Sequence, residues 1–212
     1  PTTAHNAVLY GGLKYDMTKE DIQENSRSSR GIHASRSGNF SNFRYGVSYL
    51  PKTLKEVHDI DSLLTGKTGI SVQMITGTVG TDESIKALAG KPIDILHLET
   101  HGFYWAEDKA EERNYVSFLS NRDLSTMRQE DYALLRSGLF FSGANIGLKG
   151  EKLPDDVEDG VLTAQELSSM NLGNVDLVVM SACKSGIGEN TGEGVLGLQR
   201  GFKLAGAKSL LM

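Results

Sequence analysis

The run Val175-Asp176-Leu177-Val178-Val179-Met180-Ser181-Ala182 constrains this chain most, because it delivers the protein's single cysteine, Cys183, to a Gly-rich turn. A short, nearly continuous apolar run that ends in turn residues reads as a buried strand of a parallel sheet. Residues 93–98 (Ile-Asp-Ile-Leu-His-Leu) repeat the pattern and lead to Thr100-His101-Gly102. Further strands are expected at 7–13, 70–75 and 207–212. Between them, Leu54, Val57, Ile60, Leu63 and Leu64 recur at helical spacing, and helices are also expected at 82–88, 123–136 and 193–205. Alternating strands and helices predict an α/β domain with a mostly parallel sheet flanked by helices. The 212 residues suit a single domain over 1–212. The Ser-, Arg-, Asn- and Gly-rich segment 18–49 is too long for a simple connection and reads as a mobile insertion.

Composition removes several classes of function. A net charge of −5 argues against a broad phosphate-binding face. Arg27, Arg30 and Arg36 cluster only within the polar insertion, and Tyr104, Trp105, Phe118, Phe140 and Phe141 do not interleave with basic residues. No nucleic-acid partner is therefore expected. No apolar run approaches the ~20 residues needed to span a bilayer, so no membrane partner is expected either. One cysteine excludes an intrachain disulfide framework and favours a reducing, cytoplasmic setting.

Cys183 and His101 each follow the carboxyl end of an expected parallel strand, the edge where open α/β sheets place their sites. A cysteine on a tight Gly-rich bend has backbone N–H groups beside it, which suits a nucleophile attacking a carbonyl. The alternative is a buried, inert thiol. A thiol of pKa about 8.5 is mostly protonated at neutral pH, so a nearby imidazole matters, and His101 is the candidate base. Gly102 lets a substrate approach the backbone.

His97, Glu99 and His101 alternate, so on a strand they share a face. His-Leu-Glu-Thr-His on a strand is not the helical zinc-peptidase pattern, so no metal and no cofactor are expected, and His97 is read as supporting the site. Segment 155–166 can be counted as a twelve-residue calcium loop, but its third position is Val157 and Pro154 breaks an entering helix. A turn at Asp159-Gly160 into a helix capped by Thr163 and Glu166 accounts for it without calcium.

These residues carry a family resemblance. His97-Leu98-Glu99-Thr100-His101-Gly102, Leu135-Arg136-Ser137-Gly138-Leu139 with Gly143-Ala144-Asn145, and Asp159-Gly160-Val161-Leu162-Thr163-Ala164-Gln165-Glu166 resemble blocks of the CHAT domain. So does Ser181-Ala182-Cys183-Lys184-Ser185-Gly186, continuing through Gly194, Gly197-Leu198, Arg200-Gly201-Phe202 and Leu204-Ala205-Gly206-Ala207. CHAT domains are a branch of the caspase-like peptidases related to separase, and four blocks in register across residues 90–212 are more specific than any one of them.

The resemblance implies a caspase-hemoglobinase fold, a His101/Cys183 dyad, and an oxyanion hole from the backbone of Gly102 and Cys183. It implies a cysteine endopeptidase acting on a protein or peptide partner, in prokaryotic signalling or defence, with gasdermin activation one example and a sensor module a further associate. The alternative is a non-catalytic caspase-like scaffold. Caspase-like folds continue beyond the cysteine-bearing half, so the chain is expected to lack a C-terminal, small-subunit-like portion, removed by truncation or processing or supplied as a separate fragment. Some relatives place Asp two residues before the cysteine to bind a basic side chain, and here that position is Ser181. Asp159, Glu166, Glu189 and Glu193 are the acidic candidates for such a pocket.

Overall fold

The computed structural model describes residues 5–21, 24, 46–104, 133–149, 151, 153, 157–181 and 192–212. The apolar runs become strands of one five-stranded sheet. These are β1 (Asn6–Leu13), β2 (Ser71–Gly77), β3 (Ile93–Glu99), β7 (Val175–Ser181) and β8 (Leu210–Leu211). Their order is β2-β1-β3-β7-β8 and every neighbouring pair is parallel. This is the expected α/β sheet. Only two residues of the run 207–212 join it, where a longer strand was expected.

Strand alternation sends side chains to two different layers. Ala7 and Leu9 of β1 pack with Val57 and Ile70 beneath helix α1 (Pro51–Thr68). Pro51 starts that helix at a position where a missing N–H costs nothing, and Gly69 ends it in the left-handed region at φ 69°. On the other face Val8, Tyr10, Leu96, Leu98, Val178 and Met180 join the main core. That core also takes Leu167 from α4 (Ala164–Ser168) and Leu198 and Phe202 from α5 (Gly192–Leu204). Two further helices are short: α2 (Asp82–Lys86) and α3 (Ala144–Leu148).

A second sheet was not expected. Strands β4 (Gly102–Tyr104), β5 (Ser137–Phe140) and β6 (Val161–Thr163) form an antiparallel trio in that order. Its Phe103, Leu139, Phe140 and Leu162 enter the main core. Chain direction thus changes between Glu99, which ends the large sheet, and Gly102, which opens the small one. Thr100 and His101 occupy that junction.

The expected helix over 123–136 appears only as its last turn at 133–135; its earlier part lies outside the described residues. Within the expected insertion, residues 46–49 are built into the fold, with Val47 buried. Among the described residues no helix is long and apolar enough to cross a membrane.

Candidate active site

His101 is held from three directions. Its backbone carbonyl accepts from the Phe140 N–H at 2.9 Å, which ties it to β5. Its own N–H donates to the Tyr15 hydroxyl at 3.4 Å, and the Tyr15 ring lies against the imidazole with centroids 5.1 Å apart. Tyr15 also bonds Thr100 Oγ1 at 2.9 Å, while Thr100 donates to the Phe140 carbonyl. Burial holds the Tyr15 phenol above its ordinary pKa, so it remains a neutral donor and acceptor.

The third contact decides the chemistry. Imidazole Nε2 stands 2.7 Å from the backbone carbonyl of Ser48. A carbonyl oxygen only accepts, so Nε2 carries the hydrogen and the neutral ring keeps its lone pair on Nδ1. Nδ1 is buried and has no hydrogen-bond partner among the described residues. Burial also lowers the His101 pKa, which favours the neutral, basic form. A buried polar atom left unpaired asks for a functional explanation.

Strand pairing supplies the rest of the frame. Glu99 of β3 pairs with Ser181 of β7 in a parallel register. Each is two residues short of a candidate catalytic residue, His101 on one strand and Cys183 on the other. Cys183 and Glu189 lie outside the described residues. Gly102 opens β4 opposite Leu139, and Glu193 lies in the first turn of α5.

His97, read as supporting the site, is buried and paired with Glu99 two residues on. Its Nε2 bonds Glu99 Oε1 at 2.6 Å, and it makes no hydrogen bond to His101. Burial raises the Glu99 pKa, opposed by the His97 bond and reinforced by the nearby carboxyl of Glu56. Glu56, His97 and Glu99 are the one place among the described residues where possible metal ligands converge, with all three donor atoms within 4.8 Å. Two donors around a tetrahedral zinc at 2.0–2.1 Å would stand roughly 3.3 Å apart. The His97–Glu99 contact is tighter, as befits a hydrogen bond.

The carboxyls of Asp159, which is buried, and Glu166, which is half-buried, both have partners within the fold. Thr163 and Glu166 form the expected capping box: Thr163 Oγ1 accepts from the Glu166 N–H at 3.1 Å, and Glu166 Oε2 accepts from the Thr163 N–H at 2.9 Å. Glu166 also faces the Lys86 ammonium at 3.3 Å. Asp159 is buried and accepts from the Val161 N–H at 3.0 Å. Burial, with the charges of Glu166 and Glu158 adding to it, pushes its pKa up to about 8 against the opposing Val161 bond and Lys86.

That shift has a checkable sign. A carboxyl whose folded pKa lies above its unfolded value of ~4 takes stability away as pH rises through that interval. Asp159→Asn keeps an acceptor for Val161 and removes the ionisation. It is expected to stabilise the protein at pH 8 by on the order of 1–2 kcal/mol and to have little effect at pH 4. Thermal melts of both proteins across that range check it; a gain that grows toward acid would contradict it.

With this geometry in place, comparison with known families decides the identity. The family model for the CHAT domain matches residues 16–212. The chain is a CHAT-domain protein. No curated protein and no solved structure matches it. Membership brings a caspase-like α/β fold and a relationship to cysteine peptidases. The parallel five-stranded sheet flanked by helices accords with that fold.

Two features of this CHAT site were missed in the sequence. The Ser48 carbonyl is a backbone group and leaves no signature in residue type. Tyr15 belongs to none of the sequence blocks singled out for chemistry.

Proposed function

We propose that this CHAT domain is a cysteine endopeptidase in which His101 is the base for Cys183. The observation that carries the reading is the His101 ring: Nε2–H given to Ser48, Nδ1 buried with its lone pair unused. The parallel Glu99–Ser181 pairing supports it, because both chains leave the same sheet rim on neighbouring strands.

In this mechanism Nδ1 takes the Cys183 proton and the thiolate attacks the scissile carbonyl carbon, whose π electrons move to oxygen. The backbone N–H groups of Gly102 and Cys183 stabilise that oxyanion. As the tetrahedral intermediate collapses, the imidazolium hands its proton to the leaving amine and a thioester remains. Nδ1 then deprotonates a water, which attacks the thioester carbonyl; the thiol leaves with that proton and the acid product departs. Ser48 holds Nε2–H throughout, so a single ring nitrogen does all the proton transfer.

The substrate is a protein partner of a cytoplasmic prokaryotic signalling or defence system, a gasdermin-like effector among the candidates. A sensor module or a C-terminal fragment of the same protein would act with the domain. With Asp159 and Glu166 occupied internally, Glu189 and Glu193 remain to recognise a basic residue before the cut.

An acyloxymethyl-ketone peptide probe with Lys or Arg before the reactive group tests the reading. The folded protein is expected to gain one covalent adduct on Cys183, and Cys183→Ala none. A folded wild-type protein that stays unmodified by a panel of such probes would favour the scaffold alternative, and a Cys183→Ala protein that still cleaves would remove the dyad.

A further inference from the structure

We infer that Asn145 is a positioning residue for His101, acting through the backbone of Val47 and Ser48; this rests on the reading of His101 as base. Asn145 lies in α3, is 2% exposed, and grips Val47 with both ends of its amide, while the same side chain also bonds the Asp16 carboxyl. Its Oδ1 accepts from the Val47 N–H at 2.7 Å and its Nδ2 donates to the Val47 carbonyl at 2.9 Å. That two-point bond is what a neighbouring strand would offer, supplied here by one side chain from 98 positions away. The next residue in the chain is Ser48, whose carbonyl holds the His101 Nε2–H.

The clamp has a second arm on the same histidine. The Asn145 backbone N–H donates to the Tyr15 carbonyl at 3.1 Å, and Tyr15 bears on His101 by its hydroxyl and ring. One residue therefore fixes both supports of the imidazole. Gly46 permits the approach. It sits at φ 69°, and a Cβ there would stand 2.5 Å from Asn145 Oδ1.

The physical consequence concerns tautomers. Free imidazole places its proton on either nitrogen at small cost, so a base that must keep Nδ1 open needs a fixed acceptor at Nε2. Ser48 is exposed, and the buried residue next to it that anchors this backbone is Val47. Asn145 supplies the fixity. Where the clamp is lost, the carbonyl wanders, the Nδ1–H form gains population, and that form cannot accept the Cys183 proton.

The experiment reads His101 directly, by nitrogen-15 NMR of histidine side chains, with His101→Gln used to assign its signals. Wild type is expected to show a protonated Nε2 and an unprotonated Nδ1 at neutral pH. Asn145→Ala is expected to move both shifts toward the average of the two tautomers and to slow probe labelling at least about 10-fold at unchanged probe affinity. Gly46→Ala, which crowds the amide without deleting it, is expected to do the same to a smaller degree and serves as the deciding variant if Asn145→Ala does not fold. Folded variants with wild-type His101 shifts would overturn the inference. The NMR signature does not depend on peptidase activity, so an inactive wild type with a mobile tautomer in the variants would count against the function and for the clamp.

Discussion

Replacing His101 with alanine is expected to slow Cys183-dependent peptide cleavage at pH 7 by about 10²–10⁴-fold, the usual worth of a positioned general base. The ring is buried and packs on Tyr15, so the variant also loses some stability, and its melting curve must show that it is folded at the assay temperature. The pH dependence separates loss of a base from general damage. Above about pH 8.5 a thiol ionises unaided. Labelling of the variant by an electrophile is therefore expected to recover toward wild type near pH 9. Peptide cleavage is not, because the leaving amine still needs the proton that imidazolium supplied. A variant that cleaves within about threefold of wild type at pH 7 would remove His101 from the mechanism.

How much of this arrangement could be read in the sequence depends on the reach of each signal. Strands β1, β2, β3 and β7 are apolar runs bounded by turn residues, and they appear where expected because sheet burial is written locally. The same holds for α1, with its apolar spacing, and for the Thr163–Glu166 capping box. The small antiparallel sheet was invisible for a physical reason. Its strands have three or four residues, and β5 and β6 are buried along their whole length, so no alternation marks them. The partners of the acidic residues were illegible for a related reason. Glu166 meets the Lys86 ammonium 80 positions away, a contact that no local pattern announces. His101 was legible as a candidate base from residue type and strand position. Its tautomer was not, since that depends on a backbone carbonyl delivered by a segment that composition assigns to an insertion.

Lys86→Met is expected to be among the most destabilising single changes in the protein, costing about 3–5 kcal/mol at pH 7.5. The lysine closes α2 and its ammonium meets three carboxylates: Glu158 at 2.7 Å, Glu166 at 3.3 Å and Asp82 at 3.5 Å. Its side chain is 11% exposed and those of Asp82 and Glu158 nearly fully buried. Burial opposes the lysine's charge, but Asp82, Glu166 and Glu158 together outweigh it and hold the ammonium protonated. Methionine fills much the same volume and offers no charge, so the loss is electrostatic rather than a cavity. For 212 residues the drop in melting temperature is on the order of 10 °C. Burial already raises the Asp82 pKa, with Lys86 opposing the rise, so loss of the cation leaves Asp82 higher still in the folded state than in the unfolded one. The cost of its ionisation is absent below its unfolded pKa of ~4 and complete once pH passes its folded value. The gap between variant and wild type is therefore expected to narrow steadily from pH 7.5 to pH 5. A gap that is constant or widens toward acid would show that the lysine contributes through its packing alone. The effect bears on the site because the network binds α2 to the turn before β6 and to α4, and β6 pairs with β5. Strand β5 in turn holds the carbonyl of His101 and the hydroxyl of Thr100. A buried charge cluster far in sequence from the imidazole thus sustains the small sheet on which the imidazole is mounted.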